Sequence, residues 1–453
     1  MPKKVKFLIL GAGPCGLGAA YKLNDLGQTD YLLLEKSHKV GGLATSYVDD
    51  KGFTWDVGGH VQFSHYEYFD KAMHEALGDK GWLHHQREAW VWIKNRFVPY
   101  PFQNNIHRLP KEDCESALSG LEQRETPAGG LKTFKDWLLS SFGKDLCEIF
   151  MYPYNLKVWA YPTEQLNYKW IGERVAQIDL DRIKDNIKHQ KDDVSWGPNN
   201  TFQFPVKGGT GAIWSSIGNI IDPEKTILNS SITSIDYKNK IVKADNEEYE
   251  YEHILSTLPL TTLSDLVGDN KLIDLSSKLK SSSIHVVGIG LEGELPESLV
   301  NKCWMYFPES DSPFYRVTVF SNYSPNNVPD SKKHFSLMAE ISESELKKVD
   351  RENIVEETIQ GLVNCKLIKD EKIISRWSLF ANLGYPTPSI NRDEILEQVF
   401  KSLDEKGINS RGRFGAWKYE ISNQDHTFMQ GAEWVSNVLE GASEPTFKGV
   451  LAS

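Results

Sequence analysis

Val5-Lys6-Phe7-Leu8-Ile9-Leu10-Gly11-Ala12-Gly13-Pro14-Cys15-Gly16 is the stretch whose reading decides the fold. Residues 5–10 read as a short apolar strand that runs directly into a GxGxxG turn. Residues 17–26 then have helical composition, Gly27 ends the helix, residues 31–34 form a second strand, and Glu35 closes it. Each part has a physical task. Gly11 permits the tight turn, Gly13 lets the backbone approach a pyrophosphate, and Gly16 lets helix and strand pack closely. The helix N-terminus adds unpaired amides and a positive dipole end, both suited to phosphate. Glu35, at the tip of the second strand, can accept hydrogen bonds from a ribose.

A second match to the pattern, Gly288-Ile289-Gly290-Leu291-Glu292-Gly293, lacks this setting. Glu294, Leu295 and Pro296 follow it, with no helix and no acid-tipped strand, so it reads as an antiparallel strand and its turn. Beyond Glu35-Lys36, the doublet Gly41-Gly42 precedes Leu43-Ala44. A glycine pair in that place resembles the extended fingerprint of FAD-binding oxidoreductases, which lay a second glycine turn beside the cofactor. Lys36, Gly42 and Leu43 therefore join Gly11, Gly13, Pro14, Cys15, Gly16 and Glu35 as candidate cofactor contacts. Near the other end, Gly412-Arg413-Phe414-Gly415 precedes Asn423-Gln424-Asp425, which opens a helix running through Phe428, Gly431 and Trp434. In the same flavoprotein group such a segment returns to the first domain and points its helix N-terminus at the flavin, favouring an anionic reduced ring. Arg413 is the candidate for a charge-assisted bond to FAD phosphate or its neighbourhood, with Asn423 and Gln424 as further cofactor contacts.

At 453 residues the chain is too long for one ordinary core, so two or three packed units are expected. A net charge of −11 argues against nucleic acid as a partner. An anionic substrate must then be held by a few local arginines. The cysteines Cys15, Cys114, Cys147, Cys303 and Cys365 show no CxxC spacing, which disfavours a disulfide framework or zinc site and fits a reducing, cytoplasmic setting. No run is apolar for the roughly 18 residues that a membrane-spanning helix requires, so a soluble chain without membrane insertion is expected.

Residues 101–182 read as helical, with 132–142 and 146–152 carrying apolar residues at helical spacing and 116–130 reading as a loop. Residues 226–258 alternate as a meander. The stretches 284–291, 303–307, 314–320 and 335–341 read as a mostly antiparallel sheet forming one wall of a site. The expected fold is α/β. A Rossmann-like FAD-binding domain is assembled from 1–86, 204–285 and 383–453, with an inserted helical domain at 101–182 and an antiparallel β-sheet substrate domain from 87–100, 183–203 and 286–382.

Longer words narrow the family. They are Gly58-Gly59-His60-Val61-Gln62-Phe63-Ser64-His65-Tyr66, Val98-Pro99-Tyr100-Pro101-Phe102-Gln103-Asn104, Tyr154-Asn155-Leu156-Lys157-Val158-Trp159 and Trp170-Ile171-Gly172-Glu173-Arg174-Val175-Ala176. Trp196-Gly197-Pro198-Asn199, Phe314-Tyr315-Arg316 and Gly384-Tyr385-Pro386-Thr387-Pro388 add to them. With the Gly412–Gly415 word, they resemble the eukaryotic-type UDP-galactopyranose mutases, in order and over almost the whole chain.

That resemblance implies interconversion of UDP-galactopyranose and UDP-galactofuranose without net redox change. The implied reaction is nucleophilic attack of reduced FAD N5 on the sugar anomeric carbon, with departure of UDP. It implies NADPH as the reductant, which would visit the substrate cleft because no second dinucleotide fingerprint is credible. Arg174 and Arg316 fall where the family's diphosphate-binding pair lies, and paired guanidiniums suit a leaving group on which negative charge grows. Tyr306, Tyr385 and Tyr419 match phosphate-contacting tyrosines. Tyr100 and Gln103 match the uridine pocket, by stacking and by a hydrogen bond to the uracil edge. Asn155, Trp159 and Asn199 match the lining of the sugar and nucleotide site, and Phe63 joins the substrate set.

His60, after Gly58 and Gly59, lies in a loop that the family places against the flavin and is taken with the catalytic residues. No metal role is expected there, because His65 in the same loop has no evident third ligand. Segments 172–174 and 198–200 resemble flaps that close over nucleotide sugar. Ala89, after Arg87-Glu88, departs from the small hydroxyl residue expected there and affects one possible cofactor contact. Oligomeric state does not carry over. Two other functions share parts of the pattern. A flavin amine oxidase or protoporphyrinogen-oxidase-like oxidoreductase has no use for paired arginines at a diphosphate. A non-catalytic nucleotide-sugar-binding flavoprotein would bind UDP without isomerising the sugar.

Overall fold

Phe7, Leu8, Ile9 and Leu10 are fully buried, as a strand covered on both faces requires, and they form the inner half of strand β1 (Lys3–Leu10). The computed structural model describes residues 1–172, 175–194 and 200–449. Strand β1 lies in parallel register between β2 (Tyr31–Leu34) and β12 (Glu247–Ser256). Short β9 (Thr226–Ile227) flanks β2, while β11 (Ile241–Ala244) and β10 (Ile232–Asp236) continue antiparallel beyond β12, to which β18 (Asn409–Ser410) also pairs. The meander expected over 226–258 is therefore β10 to β12, whose last strand docks on β1. Parallel partners cannot be joined by a tight hairpin, so one sheet draws on three distant stretches of chain.

The second sheet runs β17 (Lys372–Pro386), β13 (Ser281–Glu292), β16 (His334–Glu343), β15 (Arg316–Val319), β14 (Trp304–Tyr306), β6 (Ala89–Ile93) and β7 (Arg96–Pro99). Every pairing is antiparallel except that of β14 with β6. The second GxGxxG lies in β13 and its turn, as read from the sequence, and its glycines serve packing. The hairpin of β3 (Ser46–Val48) and β4 (Thr54–Asp56) lays Phe53 and Trp55 flat on this sheet. A Cβ on Gly288 would come within 2.5 Å of the Trp55 ring, and one on Gly290 within 2.7 Å of the Phe53 ring. Trp55 stacks in turn on Trp377 of β17, at 5.9 Å and 11°. A last pair, β5 (Trp82–Gln86) with β8 (Thr201–Pro205), is antiparallel.

Three sequence expectations need correction. Residues 116–130 are not all loop, because Lys111–Glu122 is a helix whose Cys114, Ala117 and Leu121 bury one face in the helical core. The boundary drawn at 182 falls inside the helix Leu180–His189, whose Ile183 packs in the same core as Phe102 and Ile106. The boundaries at 285 and 383 fall inside β13 and β17, which pass unbroken from one unit into the next. Among the described residues, no helix is long and apolar enough to cross a membrane.

Candidate active site

The helix Pro14–Asp25 starts at Gly13 with no side-chain cap, which leaves its first amides open. A Cβ on Gly16 would sit 1.9 Å from Gly11 O, whereas a Cβ on Gly13 would meet nothing within 4 Å. Gly16 is thus compressed against the strand while Gly13 faces open space, the division that a passing pyrophosphate needs. Gly41 N donates to Ala12 O at 2.8 Å, and a Cβ on Gly42 would lie 3.3 Å from Gly13 Cα. The two glycine turns therefore touch, and Leu43 sits in the second, Gly42–Ala44.

Glu35 accepts from Ala12 N and from Ser37 N, each at 2.8 Å. Its two oxygens are thereby held at the tip of β2 with lone pairs remaining for ribose hydroxyls. Lys36 is exposed beside it. Cys15 is buried, and burial pushes its thiol well above the usual range. The helix Gln424–Glu440 seats on the first helix through small residues: a Cβ on Gly431 would lie 2.0 Å from Cys15 O, and one on Gly18 2.2 Å from Phe428 O. Asn423 is the N-cap residue and makes no side-chain cap bond. Gln424 accepts from Trp214 Nε1 at 2.6 Å, so its oxygen anchors the helix start. An uncapped helix N-terminus, an open Gly13 and a pinned Glu35 fit FAD.

Arg413 is held by protein acceptors. Its Nε and Nη2 donate to Gly384 O at 3.1 and 2.7 Å, and its Nη1 to Ser422 O and Oγ at 3.2 and 3.0 Å. Its guanidinium also lies 5.1 Å from the Tyr385 ring. Protein acceptors take up most of its donors, so Arg413 braces the cleft wall.

The expected substrate residues gather in one aromatic wall. Tyr100 meets Tyr306 at 5.2 Å, and Tyr154 meets Tyr306 at 5.3 Å. Trp159 meets Tyr419 at 4.9 Å and Tyr385 at 6.0 Å, and Tyr385 meets Tyr419 at 5.8 Å. Burial raises the phenols of Tyr100, Tyr154, Tyr306 and Tyr385 above their ordinary value. They stay protonated at neutral pH and can donate to phosphate. Gln103 donates its amide to Ala176 O at 2.7 Å. Its Oε1 makes no hydrogen bond among the described residues, so only the oxygen is open to a uracil edge. Asn155 donates to Met151 O at 2.8 Å. Phe63 lies 5.6 Å from His65, edge to face. Arg174 and Asn199, with most of the two flap segments, lie outside the described residues.

At the centre sits a residue that the sequence reading missed. Glu340 accepts from Arg316 Nε at 2.6 Å and Nη2 at 2.8 Å, from Tyr315 Oη at 2.8 Å, and from Gly59 N at 3.0 Å. Tyr315 Oη also bonds Tyr385 Oη at 3.1 Å. Burial would push this carboxyl up, but the Arg316 charge and these bonds hold it below the ordinary value. Glu340 raises Arg316 further against the effect of burial, so the guanidinium stays charged. The signal was present: Arg316 and Glu340 are direct partners across β15 and β16, and Glu340 is a lone carboxylate between Leu337 and Ile341.

Gly58 and Gly59 press on this ion pair. A Cβ on Gly58 would lie 3.2 Å from the Glu340 carboxylate, and one on Gly59 2.7 Å from Thr318 Oγ1. His60 follows at once. Burial lowers its imidazole to about 4, with Arg413 and Arg316 adding to the effect and Glu340 opposing it. His60 is therefore neutral at physiological pH. Its Nδ1 is buried and has no hydrogen-bond partner among the described residues. His65 Nδ1 lies 2.8 Å from Asp425 Oδ2, and His426 Nδ1 lies 2.9 Å from Asp425 Oδ1, a cluster that does not include His60.

A family model described as flavin containing amine oxidoreductase matches residues 14–432. The crystal structure of a reduced UDP-galactopyranose mutase superposes with a TM-score of 0.95 at 44% identity, covering 98% of this chain and 96% of that one. A CLA-producing fatty acid isomerase from P. acnes shares the fold alone, with a TM-score of 0.65 at 14% identity over 96% of this chain and 99% of its own. A putrescine oxidase variant does likewise, at 0.66 and 15% over 98% and 100%. Within the flavin containing amine oxidoreductase fold, the chain belongs to the UDP-galactopyranose mutases.

Proposed function

We propose that this chain interconverts UDP-galactopyranose and UDP-galactofuranose, drawing on NADPH to keep its FAD reduced. The observation that carries the reading is the Arg316–Glu340 fork set in the aromatic wall of a chain 44% identical to a mutase. Gly11, Gly13 and Gly16 with Glu35 would hold the dinucleotide, and bound FAD in its reduced state supplies a nucleophilic nitrogen toward the anomeric carbon.

The remaining roles belong to the chain. Arg316, kept charged and aimed by Glu340, meets the negative charge that grows on the diphosphate as the anomeric C–O bond breaks. Tyr306, Tyr385 and Tyr419 add neutral donors around the same oxygens, so the leaving UDP is held in place for the return step. Tyr100 and Gln103 hold the uridine, and Asn155 and Trp159 line the sugar side. Arg174 and Asn199 complete the diphosphate and nucleotide contacts in this reading, from flaps that exclude water. Neutral His60, in the loop that Glu340 grips through Gly59, keeps added positive charge away from the nucleophile.

NADPH enters the same cleft, where the Arg87 guanidinium lies 5.7 Å from the Tyr100 ring. Five buried free cysteines are consistent with a cytoplasmic, reducing setting.

The test is anaerobic conversion of UDP-galactofuranose to UDP-galactopyranose by dithionite-reduced protein, followed by chromatography. Turnover by reduced protein only is expected. A flavin-loaded protein that binds UDP without isomerising the sugar would refute the reading. Anaerobic bleaching of the flavin by NADPH, faster than by NADH, tests the reductant separately.

A further inference from the structure

We propose that His65, Asp425 and His426 form a transition-metal site tying the loop before residue 67 to the first turn of the C-terminal helix. Each side chain offers one ligand atom, and the three atoms lie within 4.8 Å of one another. They come from two stretches of chain 360 residues apart.

The donor set is two imidazoles and one carboxylate. That combination suits zinc, cobalt or nickel, whereas magnesium and calcium prefer oxygen alone. The site is enclosed on one side and open on the other. The Asp425 and His426 side chains are 1% and 2% exposed, and that of His65 is 30% exposed. An arriving cation meets His65 first, and a water can complete a tetrahedral shell.

Hydrogen bonds hold the same groups together without metal. His65 Nδ1 and His426 Nδ1 each reach one Asp425 oxygen, at 2.8 and 2.9 Å. Ligands about 2.0–2.1 Å from a tetrahedral ion stand roughly 3.3 Å apart, so a small outward shift of the exposed His65 admits the metal. Neither the fingerprint nor the aromatic cleft uses these three residues, so the proposal is independent of the mutase reaction.

The experiment uses the FAD-loaded protein, cleared of metal with a chelator and titrated with Co²⁺ and Zn²⁺. One equivalent of Co²⁺ per chain with a visible ligand-field band is expected, together with a Zn²⁺-dependent rise in melting temperature. Both should vanish in His65→Ala and in Asp425→Asn, and Mg²⁺ should reproduce neither. Absence of a stoichiometric Co²⁺ band in the unaltered protein overturns the proposal. Equal Zn²⁺ stabilisation in the unaltered protein and in both variants overturns it as well.

Discussion

Glu340 accepts four hydrogen bonds, two from Arg316 and one each from Tyr315 and Gly59, so its charge sets the geometry of three elements at once. Glu340→Gln keeps the volume but places amide hydrogens against donors and leaves Arg316 as an uncompensated, partly buried cation beside a buried amide. Breaking such a pair costs about 3–5 kcal/mol; a large fall in unfolding free energy by denaturant titration is the expected outcome. Arg316→Ala should lower turnover by about 2–4 kcal/mol, or roughly 30- to 1,000-fold in kcat, while UDP still binds. Anaerobic steady-state assays would check both. The pH dependence of His60 has a definite sign. Its folded value of about 4 is depressed below the ordinary 6.5, so it contributes stability that is present above 6.5 and lost as pH falls through about 4. Melting temperature should drop more steeply from pH 7 to pH 4 in the unaltered protein than in His60→Asn. At this scale the sequence was partly legible. Arg316 stood out within its aromatic word, but its partner lies 24 residues away and depends on strand register.

Single glycines separate the cofactor turn from the sheet. Gly16→Ala would drive a methyl to 1.9 Å from the Gly11 carbonyl, which neither backbone can yield. Loss of bound flavin absorbance after purification is the expected result. Gly288→Ala would press on the Trp55 ring at 2.5 Å instead. Overpacking there should cost about 1–3 kcal/mol by thermal or denaturant melting, with flavin retained. The same GxGxxG spacing thus has two physical meanings, and flanking residues distinguish them in the sequence. A helix or an acid-tipped strand is a local signal. The flat aromatic stack that requires Gly288 and Gly290 to lack side chains is not, because Trp55 arrives from a hairpin more than 200 residues earlier.

Across the whole molecule, Lys157 is one of several ties between the helical unit and the antiparallel-sheet unit, and burial lowers its ammonium to about 7. Lys157 Nζ donates to Glu309 O at 2.8 Å, Ser312 O at 2.9 Å and Ser312 Oγ at 3.4 Å. Lys157→Met leaves these buried acceptors without a donor, at about 1–3 kcal/mol. The same helix carries Asn155 and Trp159, so KM for the nucleotide sugar should rise more than kcat falls, which steady-state kinetics would resolve. By itself the sequence determined the flavin cradle, the order of its strands and helix, and the family, because these rest on backbone conformations encoded by short spacings. Tertiary structure alone decided that Glu340 grips Arg316 and the His60 loop, that Arg413 braces Gly384 and Ser422, and that His65 meets Asp425 and His426. Those pairings depend on strand register and helix docking between stretches as much as 360 residues apart, and no local pattern of residues carries that information.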